Sequence, residues 1–325
     1  MVRFVTNKAA QYLVVLLVAT TLNFVIPLAM PGDPLKALVG ESLFQMSAEQ
    51  KARVRAENGL DLPLHRQYLH YLSRVARLDL GYSYRTRQSV ASMVADRLPW
   101  TLFLTTTSVI LSGLIGSALG VWSAWHRGQR SEVRLLVTLL SVQSLPAFWV
   151  AMVLIALFSV KLRLLPVYGA VSLTARYTGL PYVADVLRHW LLPATTLVLV
   201  TLPGWFLTMR YAMLNTLAAE YVRVARAKGL AERRIMFRHA MRNALLPVVT
   251  GFMLGLANSI GGATLVETVF SYPGIGRMLY EAVLLRDYPV IRSTFLVITV
   301  AVIVGNLLAD LSYPLLDPRL RRPQP

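Results

Sequence analysis

The chain has 325 residues, 55% of them hydrophobic and only 15% charged, against roughly 25% charged residues in soluble domains, so a soluble globular enzyme and a disordered chain are both excluded. The 33 Lys and Arg against 16 Asp and Glu give a net charge of +17, which in so apolar a chain points to membrane orientation and anionic headgroups, with no nucleic acid as partner. Cysteine is absent, which rules out disulfides, thiolate metal sites and a cysteine nucleophile.

A helix crossing the ~30 Å hydrocarbon core needs about 20 mostly apolar residues. Six stretches without Asp, Glu, Lys or Arg therefore predict six transmembrane helices: 9–32, 98–126, 135–160, 189–209, 243–266 and 293–309. The first follows Arg3 and Lys8 as a secretory signal would. Its apolar part is longer than a signal's core and Ala29-Met30-Pro31 is a poor cleavage site, so it reads as a retained anchor. Six spans put both termini on one side. The inner segments then carry 16 Lys/Arg and the short outer loops 7, once the long segment 32–97 is set aside, because long segments translocate largely regardless of charge. Both termini are expected to be cytoplasmic.

The segment after the first span reads as an external helical insert. Ser47 followed by Gln50 has capping-box spacing, the run to Asn58 favours helix and Gly59 can stop it. Leu64, Tyr68, Tyr71, Val75 and Leu78 then recur at helical spacing, predicting a second amphipathic helix whose apolar stripe packs on the membrane domain or seats a partner. Further on, Gly116 with Gly120 and Gly251 with Gly255 give two GxxxG spacings that permit close helix approach. Pro146, Pro193, Pro203 and Pro247 fall in or beside spans, where kinks are expected.

Residues 210–242 hold Arg210, Arg223, Arg226, Lys228, Arg233, Arg234, Arg238 and Arg242 against only Glu220 and Glu232. Ala218 to Lys228 and Ala231 to Arg242 are helix-compatible, and Gly229 can turn the chain between them. Ile235, Met236 and Phe237 form an apolar knob among the arginines. Two readings are open from the pattern: a knob that enters a cytosolic pocket, or a basic helix lying on lipid headgroups.

Catalytic chemistry is missing from the pattern. The five histidines are scattered with no HExxH, no stretch matches GxxxxGK[ST], and Lys228-Gly229 lacks the Ser or Thr that a phosphate loop needs. No catalytic, cofactor-binding or metal residue is assigned, and no enzyme activity is expected. The neutral polar residues inside spans, among them Gln143, Ser144 and Asn258, either bond between helices or line a water-filled path.

EYVRVARAKGL followed by RHAMRNALLPVV resembles the cytoplasmic coupling loop of ABC importer permeases, closest to the oligopeptide/dipeptide/nickel branch. PGDPLKALVG, GLDLPLHRQYLHYLSRVARLDLGYS, VETVFSYPGIGRMLYEAVLLRDYP and NLLADLSYPLLDPRLR resemble the same branch over most of the chain. Ala225 and Gly229 match the loop motif's small residue and glycine, and Leu246-Pro247 its closing pair, while Arg223-Val224 replaces its usual Glu-Ala. The resemblance implies an all-α, six-helix permease of the type I importer fold. Residues 1–31 would be its first span, 32–97 its external insert and 98–325 a five-helix core with the coupling loop at 210–243. It implies a bacterial or archaeal plasma-membrane protein that forms half of a pathway for peptides or a related solute such as a nickel chelate. The implied partners are a homologous permease, two ATP-binding subunits that hold the ATP and Mg, and an extracytoplasmic solute-binding protein. The contact with the ATPase falls on Glu220, Tyr221, Arg223, Ala225, Arg226, Lys228, Gly229, Leu230, Glu232 and Arg233, and the candidate path on Gln143, Ser144 and Asn258. An ATP-independent secondary carrier is the alternative. A charge at mid-membrane costs at least about 2.5–3.5 kcal/mol and survives for function, and the six runs hold no such group.

Overall fold

The computed structural model describes residues 2–29, 34–57, 61–83, 85–172, 177–258 and 263–316. Among these, regular structure is helical except for one two-stranded antiparallel hairpin, β1 (Tyr82–Ser83) with β2 (Gln88–Ser89). Among the described residues three helices are long and apolar enough to cross a membrane: α5 (Val90–Trp125), α8 (Leu180–Leu217) and the stretch Tyr288–Leu308 of α14 (Tyr288–Leu316). A fourth span is made only if α6 (Arg130–Gln143) and α7 (Ala147–Leu154, continued as a π-helical turn, Ile155–Lys161) count as one, and they meet at a 100° bend. The first expected span lies in α1 (Val2–Ala29), with a shorter apolar stretch, Ala10–Val25. The run 243–266 is divided between α11 (Met241–Asn258) and α12 (Thr264–Val269), with 259–262 outside the described residues.

The chain divides into two compact units, residues 1–101 with 273–307, and 102–272 with 308–325. In the first, α1 is followed by α2 (Pro34–Val39), a 3₁₀ turn (Gly40–Gln45), α3 (Ala48–Glu57) and α4 (Leu64–Ala76). The capping box at the head of α3 is formed: the Gln50 amide donates to Ser47 Oγ at 3.2 Å, and the Ser47 amide to Gln50 Oε1 at 2.8 Å. Gly59, the expected stop, lies outside the described residues. The stripe on α4 is shorter than its spacing suggested. Tyr68 and Tyr71 meet Phe24 of α1, but Leu64 and Leu78 are exposed. The helix ends at Ala76, and Leu78 adopts φ +57°, which turns it off the helical face. The turn is held by Arg74 Nε donating to Asp79 Oδ2 at 2.8 Å, and that hydrogen bond keeps the Asp79 carboxyl below its usual range.

The core of this unit joins Val90, Met93 and Val94 of α5 to Ile275, Met278 and Ala282 of α13 (Ile275–Leu284) and Val290 of α14. Each of the buried Val, Ile and Met side chains contributes roughly 1.5–3 kcal/mol. Polar ties reinforce it: Ser83 donates to the Asp287 carboxylate, the Ile275 amide to Thr101 Oγ1, and Ser293 to the Leu80 carbonyl.

In the second unit α8 is the central post, packed by α5, α6, α7 and α11. The GxxxG on α5 works by backbone approach. A Cβ on Gly116 would lie 2.8 Å from the Leu202 carbonyl oxygen, and one on Gly120 2.7 Å from that of Phe206. Gly251 and Gly255 of α11 instead give room to the ring of Trp205. Pro193 and Pro203 lie inside the continuous helix α8 and Pro247 inside α11, while Pro146 caps α7 at the 100° bend.

Candidate functional site

The basic loop folds as a helical elbow within the second unit. α8 ends at Leu217, α9 runs Glu220–Ala227, and α10 (Glu232–Arg234) passes through a π-helical turn, Ile235–Ala240, directly into α11. The expected separate helix ending at Arg242 is thus the foot of α11: no residue there terminates the spiral. α9 closes as a Schellman motif, with the Leu230 amide donating to the Ala225 carbonyl at 3.3 Å and Gly229 at φ +70°. Nothing lies within 4 Å of a Cβ placed on Gly229. Glycine is therefore required by the turn and not by crowding.

Val222, Ala225 and Ile235 are buried together, with Leu217 and Leu230 against them. This small core fixes the angle between α9 and the foot of α11. It also divides the sequence-predicted residues into two groups. Ala225 closes the inner face and Leu230 is half-buried, whereas Glu220, Tyr221, Arg223, Arg226, Lys228, Gly229, Glu232 and Arg233 are exposed. The knob is divided in the same way, because Ile235 is fully buried while Phe237 is 45% exposed. Phe237, Tyr221 and Val224 are the exposed large apolar residues of the elbow. Surface ion pairs link Arg226 Nε to Glu232 Oε1 (3.1 Å) across the glycine and Arg223 to Glu220 (3.6 Å), and Asn243 Nδ2 donates to Tyr221 Oη at 2.8 Å.

Gln143 and Ser144 sit at the bend between α6 and α7, both exposed, with Ser144 Oγ donating to the Ser141 carbonyl at 2.8 Å. The side chain of Asn258 lies outside the described residues. The described structure does not bring these positions together with the elbow.

Two buried polar clusters escaped sequence reasoning. Glu132, at the head of α6, accepts from Arg210 of α8 and from Ser123 of α5. Asp185, near the head of α8, accepts from the Ser172 amide (2.7 Å) and hydroxyl (2.6 Å), with His189 Nδ1 3.5 Å from its Oδ1. Both lie at helix ends, outside the charge-free windows that defined the spans. The one sequence signal at Glu132 is that it is the lone acid among Arg127, Arg130 and Arg134 in the segment between two apolar runs.

Apolar helices of membrane-spanning length thus carry an exposed, arginine-rich elbow built on its own small core. Comparison with known proteins gives the class. Residues 116–322 match the model for the binding-protein-dependent transport system inner membrane component, and residues 1–105 the model for the N-terminal part of such membrane components. The di/tripeptide transport system permease of Pseudomonas aeruginosa is 37% identical over 99% of both chains. The oligopeptide transport system permease of Bacillus subtilis is 35% identical over 98% of this chain and 99% of its own. The dipeptide transport system permease of Escherichia coli K12 is 36% identical over 99% of both. The chain belongs to the family of binding-protein-dependent transport system inner membrane components, the permeases of ABC importers. It is a multi-pass protein of the plasma membrane.

Proposed function

We propose that this permease forms half of a translocation pathway for di- or oligopeptides, or a related small solute such as a nickel chelate, and that ATP is hydrolysed on separate subunits docked against the elbow. The substrate class is supported by the relatives, which are transport permeases for di/tripeptides, oligopeptides and dipeptides. A second homologous permease, two ATP-binding subunits and a solute-binding protein complete the assembly. Both termini face the cytoplasm, six spans cross the membrane, residues 32–97 form the external insert, and 98–325 form the five-helix core with its coupling loop at 210–243.

The observation that carries the reading is the elbow's construction. Val222, Ala225 and Ile235 give it a packed core at the foot of α11, while its outer surface offers Tyr221, Val224 and Phe237 among charged side chains. A push on that surface is delivered to a membrane helix without being absorbed by a flexible joint. Rigid-body motion of this kind couples distant sites. On this reading the ATP-binding site belongs to the partner subunits, and no stretch of this chain matches GxxxxGK[ST].

The test is uptake of a labelled dipeptide into proteoliposomes holding the complete assembly. Uptake should require ATP and the binding protein. Accumulation driven by an ion gradient, with the ATPase subunits omitted, would overturn the reading in favour of a secondary carrier.

A further inference from the structure

We propose that Arg292 and Tyr71 form a binding site for the phosphate of a membrane phospholipid at the Tyr288 end of α14. Arg292 lies in the second turn of α14, and its guanidinium carbon stands 4.8 Å from the centroid of the Tyr71 ring of α4 and 5.9 Å from that of Phe24 of α1. Phe24 in turn contacts Tyr68 at 5.2 Å and Tyr71 at 5.6 Å, and Tyr68 Oη is 2.7 Å from Thr21 Oγ1. The cation therefore rests on a fixed aromatic platform shared by three helices of one unit.

What the platform leaves unmet identifies the ligand. An aromatic face attracts a cation but accepts none of the five N–H bonds of a guanidinium in the strong, in-plane geometry. Among the described residues no carboxylate or carbonyl takes them: the one acid of the adjoining turn, Asp79, is bonded to Arg74. The Tyr71 hydroxyl is buried and has no hydrogen-bond partner among the described residues either. A guanidinium with no protein acceptor among the described residues, stacked on a ring whose own hydroxyl is unpartnered, calls for an anion with several acceptor oxygens. The guanidinium fork matches phosphate.

The setting identifies its source. Arg292 is near the start of a membrane-length helix, and the neighbouring α1 exposes Leu17, Val18, Leu22 and Val25. Acyl chains laid along that face would bring a headgroup to the level of Phe24. Tyrosine and arginine are suited to this boundary, with apolar bodies below and polar ends above.

The test uses the purified full-length chain in detergent, depleted of lipid, with thermal unfolding followed as phosphatidylglycerol, diacylglycerol or inorganic phosphate is titrated in. Phosphatidylglycerol should raise the unfolding temperature of the wild type, and the other two should not. Arg292→Gln should weaken the apparent lipid affinity about tenfold or more, and Tyr71→Phe, which keeps the ring and removes one donor, by several-fold. If Arg292→Gln does not fold, Arg292→Lys and Tyr71→Phe carry the test. Equal stabilisation by diacylglycerol, equal stabilisation by inorganic phosphate, or wild-type lipid affinity in Tyr71→Phe would each overturn the proposal.

Discussion

Arg210 of α8 donates twice to one oxygen of Glu132, from Nε at 3.0 Å and from Nη2 at 2.7 Å, and the same Nε lies 3.1 Å from Ser123 Oγ of α5. Side chains of three helices are thereby tied at one buried point, seven residues before α8 ends. The pair is nearly inaccessible, with side-chain exposures of 14% and 5%. A buried ion pair is weak evidence of net stability, but breaking one partner of it is strongly destabilising because the other charge is left uncompensated.

Glu132→Ala is therefore expected to destabilise the chain by about 3–5 kcal/mol, whereas Glu132→Ala combined with Arg210→Met recovers much of the loss. Thermal unfolding in detergent checks both. Equal damage in the single and double variants would mean that shape, and not charge, is what the site requires.

Helix approach can be tested with two glycines of the same unit. Gly120→Ala places a methyl carbon 2.7 Å from the Phe206 carbonyl oxygen, and overpacking of this kind costs about 1–3 kcal/mol. Gly204→Ala, where nothing lies within 4 Å, should be neutral or slightly stabilising because alanine favours the helix. A denaturation series on the two variants should separate them clearly, and equal midpoints would refute the close-contact account.

The elbow makes a prediction of its own. Gly229 needs a left-handed backbone but has open space around it, so Gly229→Asn should preserve the turn and Gly229→Val should not. Hydrogen exchange over 220–234 is expected to stay near wild type in the first and to rise in the second. In the complete assembly, loss of binding-protein-stimulated ATP hydrolysis by Gly229→Asn would mark the exposed surface itself as the docking contact. Wild-type stimulation in both variants would remove the turn from the coupling.

Orientation is open to single-cysteine labelling, since the chain has none of its own. An impermeant maleimide applied to intact cells should modify Leu62→Cys and spare Arg234→Cys, two exposed positions. The opposite pattern would invert the topology.

Much of the molecule was legible in the sequence because the signals were local. The capping box at Ser47 and Gln50, the left-handed stop at Gly229 and the prolines of α8 and α11 depend on a few neighbouring residues, and each is found where the pattern put it. The α4 stripe shows where local reading ends. Its spacing included Leu78, but spacing does not say where a helix stops, and the chain leaves it after Ala76.

Length, composition and charge pattern were enough to determine a basic, multi-helix membrane protein with a charged elbow, since bilayer thickness and helix geometry act on any chain alike. Only the tertiary structure decided that Ala225 and Ile235 face inward while Phe237 and Arg233 face out. It alone paired Glu132 with Arg210, and seated Arg292 on Tyr71. Those residues are far apart along the chain, and no local rule of spacing or propensity reports which distant side chain will meet a buried charge.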